Sequence, residues 1–164
     1  LLYVNGKIIT DENPYNSRFM DGKDLSKTAS LTTMDPETLE PKSVSLDTKR
    51  IISAYAYKDH IRLVTVDNHL LEYTVDLELV SDKDLSGTDF ANLFTNTDYK
   101  FHGIRYLGNK AAAIVTPNTE TTTELGKILE FDADTLTLQK SITIPLSENT
   151  GWKTDFVDLL IIEK

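Results

Sequence analysis

Three times along the chain, two short apolar runs flank a tight-turn signal. Leu1–Val4 and Lys7–Thr10 flank Asn5-Gly6. Ile51–Tyr57 and Ile61–Val66 flank Lys58-Asp59-His60, and Ile104–Leu107 and Ala111–Thr116 flank Gly108-Asn109-Lys110. Asn-Gly is a strong hairpin signal, because the favoured two-residue turn needs positive φ at both central positions. Recurring hairpins of short strands restrict the fold to antiparallel β-structure.

Each pair leads into a third strand, and two of these end in one frame: apolar–Asp–x–x–Thr–Leu. Leu31–Met34 runs into Asp35-Pro36-Glu37-Thr38-Leu39, and Ile128–Phe131 runs into Asp132-Ala133-Asp134-Thr135-Leu136. Leu70–Tyr73 runs into a shortened version, Thr74-Val75-Asp76-Leu77. The Asp accepts hydrogen bonds from amides two or three residues on and closes a turn. Thr and Leu are then expected to begin a fourth strand, at Pro41–Leu46, Glu78–Asp82 and Leu138–Ile144. The reading is all-β, one domain over residues 1–164, with units at about 1–47, 48–85 and 100–146. Residues 154–162 read as the first strand of a further unit. The one helical pattern is Ser86–Asn96, with Thr88 as its cap.

A four-stranded unit of roughly 40–50 residues is the period of a propeller blade. The equivalent positions Met34, Tyr73 and Phe131 lie 39 and 58 residues apart. The units resemble β-propeller blades, and the frame Phe131–Leu136 is similar to the third-to-fourth-strand turn of WD40-like and YncE-like propellers. The chain has no Gly-His or Trp-Asp dipeptide, no kelch double glycine and no Asp-box, so no single family within the class is indicated. The resemblance implies about three blades plus the first strand of a fourth. The apolar runs Leu1–Val4 and Val157–Ile162 would be first strands. Such a partial ring would be completed by a missing segment or a partner chain. The alternative fold is a curved β-sandwich.

The resemblance also implies where binding residues sit. In propellers, the loops between second and third strands share a face with the loops between blades. The long connections here fall at those places: Asp11–Lys27, Lys83–Lys100 and Pro117–Leu125. Long loops on a rigid scaffold carry recognition surface. The candidate partner-binding residues are Tyr15, Arg18, Phe19 and Asp21 in the first loop. They are Asp89, Asp98 and Tyr99 in the second, with His102 just beyond it, and Asn118 and Glu120 in the third. Phe90, Phe94 and Phe101 are expected to pack the second loop down, and Trp152 to pack in a core. Asp21-Gly22-Lys23-Asp24 lacks the oxygen spacing of a calcium loop, so no metal site is expected.

Composition narrows the function classes. Acidic residues number 26 against 17 basic ones, a net charge of -9, which argues against sequence-independent nucleic-acid binding and favours a basic partner. There is no Cys, hence no disulfide framework, thiol nucleophile or Cys-ligated metal. No apolar run approaches the roughly 18–20 residues of a membrane span. None of the common nucleotide, hydrolase or zinc motifs is present, and no catalytic residue or cofactor is expected. The expected function is a non-catalytic scaffold that binds another protein through its long-loop face. The alternatives are an exported bacterial surface protein binding glycan or peptide, and a fragment of a propeller hydrolase, lyase or glycosidase. Cell-surface and intracellular locations both fit.

Overall fold

The structure, a computed structural model, describes residues 1–14, 28–119 and 124–145. Tyr15, Arg18, Phe19, Asp21, Glu120, Trp152 and the strand expected at 154–162 lie outside the described residues. The described part is all-β apart from one short helix, and its strands form three antiparallel four-stranded sheets. No helix in it is long and apolar enough to cross a membrane. The chain divides into two compact units, Leu1–Ser86 and Gly87–Lys164.

The first unit holds two sheets. One is β1 (Leu2–Val4), β2 (Lys7–Glu12), β3 (Ser30–Met34) and β4 (Pro41–Ser45). The other is β5 (Ile51–Tyr57), β6 (His60–Thr65), β7 (His69–Tyr73) and β8 (Leu79–Asp84). The second unit holds α1 (Asp89–Thr95), then β9 (Tyr99–Leu107), β10 (Lys110–Pro117), β11 (Glu124–Asp132) and β12 (Leu138–Pro145). In every sheet the strands lie side by side in chain order.

The turns follow from local chemistry. Asn5 (φ 43°) and Gly6 (φ 78°) both take the left-handed conformation that a two-residue hairpin requires. In the β3–β4 turn, Asp35 Oδ1 accepts from the N–H groups of Glu37 (2.9 Å) and Thr38 (3.3 Å). In the β11–β12 turn, Asp132 Oδ1 accepts from Asp134 N (3.0 Å) and Thr135 N (2.7 Å). In the β7–β8 turn the Thr74 hydroxyl takes this part, accepting from Asp76 N (3.3 Å) and Glu78 N (3.2 Å). The sequence frame needs one correction. Its Leu does not start the fourth strand but closes the turn, with φ of 58° at Leu39, 66° at Leu77 and 56° at Leu136. Each donates its N–H back to the carbonyl of the residue that opens the turn.

Further boundaries differ from expectation. β2 runs on to Glu12, so Asp11 and Glu12, expected in the first loop, are strand residues, and β11 begins at Glu124, not Ile128. β8 runs on to Asp84, pairing it with His69. β9 begins at Tyr99, not Ile104, so Tyr99 and His102 are strand residues and not loop residues. A bulge opposite Ile114 and Val115 lets β9 pair with the whole of β10, out to Tyr99 against Pro117. The bulge breaks the strict alternation by which a strand is recognised in sequence.

The two sheets of the first unit share one core. Val4, Ile9 and Leu31 from the first pack with Ile61, Leu63, Leu71 and Tyr73 from the second. Asn13, just past β2, fastens them together. Its side-chain amide donates to the Ile51 carbonyl (3.0 Å) and its Oδ1 accepts from the Ile51 N–H (2.6 Å). The amide therefore stands in for a neighbouring strand at the start of β5. The Lys42 ammonium adds a hydrogen bond to the Asp76 carbonyl at 2.6 Å.

Two predictions follow from these contacts. Asn13→Ala leaves both backbone groups of Ile51 without their partner, and should cost about 1–3 kcal/mol in a urea unfolding titration. Asp35 contributes to the acid limb of the stability profile, as Glu72, Asp84 and Asp132 do in the same direction. Its hydrogen bond from Lys7, at 2.8 Å, and those from the turn amides lower its pKa from the ordinary 3.8 to about 2. The folded state thus holds the Asp35 proton less tightly than the unfolded chain does. Its contribution is present above pH 3.8 and is lost as the pH falls through about 2. The stability gap between wild type and Asp35→Asn should be constant near neutrality and close across that acid window.

Candidate binding groove in the second unit

The helix α1 forms where the sequence supplies a cap and a divided surface. The Thr88 side chain accepts from the Ala91 N–H at 3.2 Å. Phe90 and Phe94 face the sheet and anchor the helix by edge-to-face contacts. Phe90 lies 5.3 Å from Phe131 and 5.6 Å from Phe94, and Phe94 lies 5.0 Å from Phe101, between ring centroids. Phe90, Phe94 and Phe101, the three expected to pack the segment down, do so through these contacts. Asp89, Asn92 and Asn96 recur at intervals of three and four, so they share another face of the helix.

That polar row overlooks a groove of about 260 Å³. Val115, Leu129 and Phe131 supply an apolar floor, and Leu138 and Ser141 bring in the outer strand β12. Tyr99 and Lys127 stand at the Asn96 end. The floor residues share one sheet face because Val115 pairs with Lys127 and Leu129 pairs with Ser141.

A hydrogen-bonded corner borders the groove at that end. The Asn96 backbone N–H caps the helix on the Asn92 carbonyl. Its Oδ1 accepts from the N–H groups of Asp98 (2.7 Å) and Tyr99 (3.1 Å). Asn118 donates its backbone N–H to the Asp98 carbonyl (2.8 Å) and its Nδ2 to the Thr97 carbonyl (2.6 Å). The Tyr99 hydroxyl donates to Glu124 Oε1 at 2.7 Å and accepts from the Lys127 ammonium. This hydrogen bond, reinforced by the charge of Glu124, raises the Lys127 pKa. Lys127 is therefore a cation and a donor at neutral pH, not a general base.

Of the residues expected from sequence, Asp89 and Tyr99 line the groove, while Asp98 and Asn118 build the corner beside it. His102 lies on β9 outside the groove lining, with its Nε2 2.6 Å from the Thr116 hydroxyl. Sequence reasoning missed Asn92, Asn96, Glu124, Lys127 and Ser141. The Asp89–Asn92–Asn96 spacing was legible on a helical wheel. Lys127 and Glu124 needed the register of β11.

A second polar cluster, in the first unit, was also missed. Glu72 on β7 bonds His60 Nδ1 (2.7 Å) and Arg62 Nε (2.7 Å) on β6, and the Arg62 guanidinium stacks on the Tyr57 ring at 3.5 Å. Burial opposes ionisation of Glu72, but the hydrogen bonds from Arg62 and His60 outweigh it and hold the carboxyl below its ordinary value. This is a cross-strand lock with each carboxylate oxygen engaged. Among the described residues, no group of three or more His, Asp or Glu is placed to hold a metal ion.

No protein-family model matches the chain, and no curated protein matches it either. The groove's electrostatics can be tested directly. Tyr99→Phe removes the hydroxyl that joins Lys127 to Glu124. The Lys127 pKa should then fall toward the ordinary 10.5, read from the pH dependence of its side-chain carbon resonances.

Proposed function

We propose that this chain is a non-catalytic binding scaffold. It is built from β-propeller blades, three and the beginning of a fourth, and docks another protein through the face where the long connections emerge. The observation that carries this reading is the corner formed by Asn96, Asp98, Tyr99 and Asn118. There, side-chain amides fix a helix end and two strand ends into one rigid edge beside an open groove. Such an edge is preorganised, which lowers the ordering cost of docking a partner.

The blade reading draws support from the strand order, sequential in all three sheets. In the first unit, β1 and β5, the leading strands of their sheets, approach each other. Blades bring their leading strands together at the ring axis, and rings contain about four to eight blades. A missing segment or a partner chain would complete this one. The net charge of -9 favours a basic partner and speeds its approach.

The test is site-specific photo-crosslinking followed by affinity measurement. Benzoylphenylalanine in place of Asp98 should capture one dominant partner, whereas the same probe in place of Asp82 on β8 should not. Asp98→Lys should weaken the captured complex by about fivefold or more, roughly 1 kcal/mol, with a marked salt dependence. Equal capture from both positions, or an affinity unmoved by Asp98→Lys, would overturn the proposal.

A further inference from the structure

We infer that the groove beside α1 receives an extended segment of the partner, carrying one apolar side chain flanked by basic residues. The inference rests on the reading of the second unit as a partner-binding module. Length is the first argument. Asp89 to Asn96 spans seven helical steps, on the order of 10 Å, which matches about three residues of extended chain at roughly 3.3 Å each.

The second argument is the chemistry of the walls. A side-chain amide offers one acceptor and two donors, the complement of a peptide group. Asn96 spends its Oδ1 on Asp98 and Tyr99, which leaves its Nδ2 as a donor to a bound carbonyl. Asn92 lies one turn away on the same helix face. Below them, Leu129 and Leu138 are the partly exposed apolar residues that an aliphatic side chain would meet in the groove, with Phe131 buried beneath. An extended peptide alternates its side chains, so one points down while its neighbours point away.

Charge selects the flanks. Asp89 stands exposed at one end of the groove, and Glu124 and Asp98 stand near the other. The Lys127 ammonium is already engaged by the Tyr99 hydroxyl, with Glu124 beside it, so it does not leave the groove net positive. A bound acid would meet these carboxylates, while a Lys or Arg would meet its complement.

The test is a ¹H–¹⁵N NMR titration of the whole chain with acetyl-Lys-Leu-Lys-amide. Acetyl-Glu-Leu-Glu-amide and acetyl-Leu-amide serve as controls. The basic peptide should shift the amides of Asn92, Asn96, Leu129 and Ser141, and bind at least about fivefold more tightly than either control. Ser141→Arg alters an exposed strand position, so the fold should persist, and it should abolish those shifts. Equal binding of all three peptides would mark a plain apolar pocket and overturn the inference. So would shifts elsewhere, no shift at millimolar peptide, or peptide-free shifts that grow with protein concentration and signal a second copy. If the groove stays silent while the crosslink from position 98 persists, this inference fails and the proposed function stands. If the peptide binds while position 98 captures nothing, the proposed docking face fails instead.

Discussion

One constraint recurs in all three sheets: the chain must reverse after its third strand, and an oxygen two residues or more before the turn's end must hold the backbone there. Asp35 and Asp132 use a carboxylate, and Thr74 uses a hydroxyl. The turn then closes on a leucine with positive φ, a conformation that costs a bulky residue of order 1–3 kcal/mol. Leu136 (1% exposed) and Leu77 (9%) offset that cost by burying their side chains, whereas Leu39 remains 61% exposed. Without these reversals the fourth strands would not return alongside the third, and no sheet would be complete.

The two units solve the next problem, covering a sheet face, in different ways. In the first unit, two sheets face one another over a shared core, and Asn13 links them by imitating a strand. In the second, a seven-residue helix is laid on the sheet by a relay of phenylalanines. Because α1 is short, it shields only part of the face and leaves the groove against β12. The aromatic relay that fixes the helix thus also creates the concavity beside it.

Much of this was legible in the sequence. The Asn5-Gly6 turn, the repeated Asp frame and the Thr88 cap each rest on interactions within a few residues, which is why they could be read. What escaped rests on register. Phe101 and Tyr99 alternate like strand residues, but a bulge in β9 interrupts the pattern that would have extended Ile104–Leu107 backward. Arg62 meets Glu72 only because β6 and β7 pair in one particular alignment. Lys127 reaches Tyr99 across two strand pairings, from β11 through β10 to β9. Among the candidate residues, Asp89 and Tyr99 were found through their position on a long connection, yet their neighbours in space were not neighbours in the chain.

The side-by-side order of strands in each sheet has a kinetic consequence. Every strand in the described sheets pairs with its chain neighbour, so each pairing joins adjacent segments and its loop closure costs little entropy. Among β-sheet topologies, pairing between chain neighbours is the more local kind, and local contacts go with faster folding. Each hairpin can nucleate by itself, and each sheet can zip outward one strand at a time. The clamp between Asn13 and Ile51 joins residues 38 apart, so it must wait until both sheets exist. A contact that forms after the main barrier governs how slowly a folded protein comes apart more than how fast it assembles.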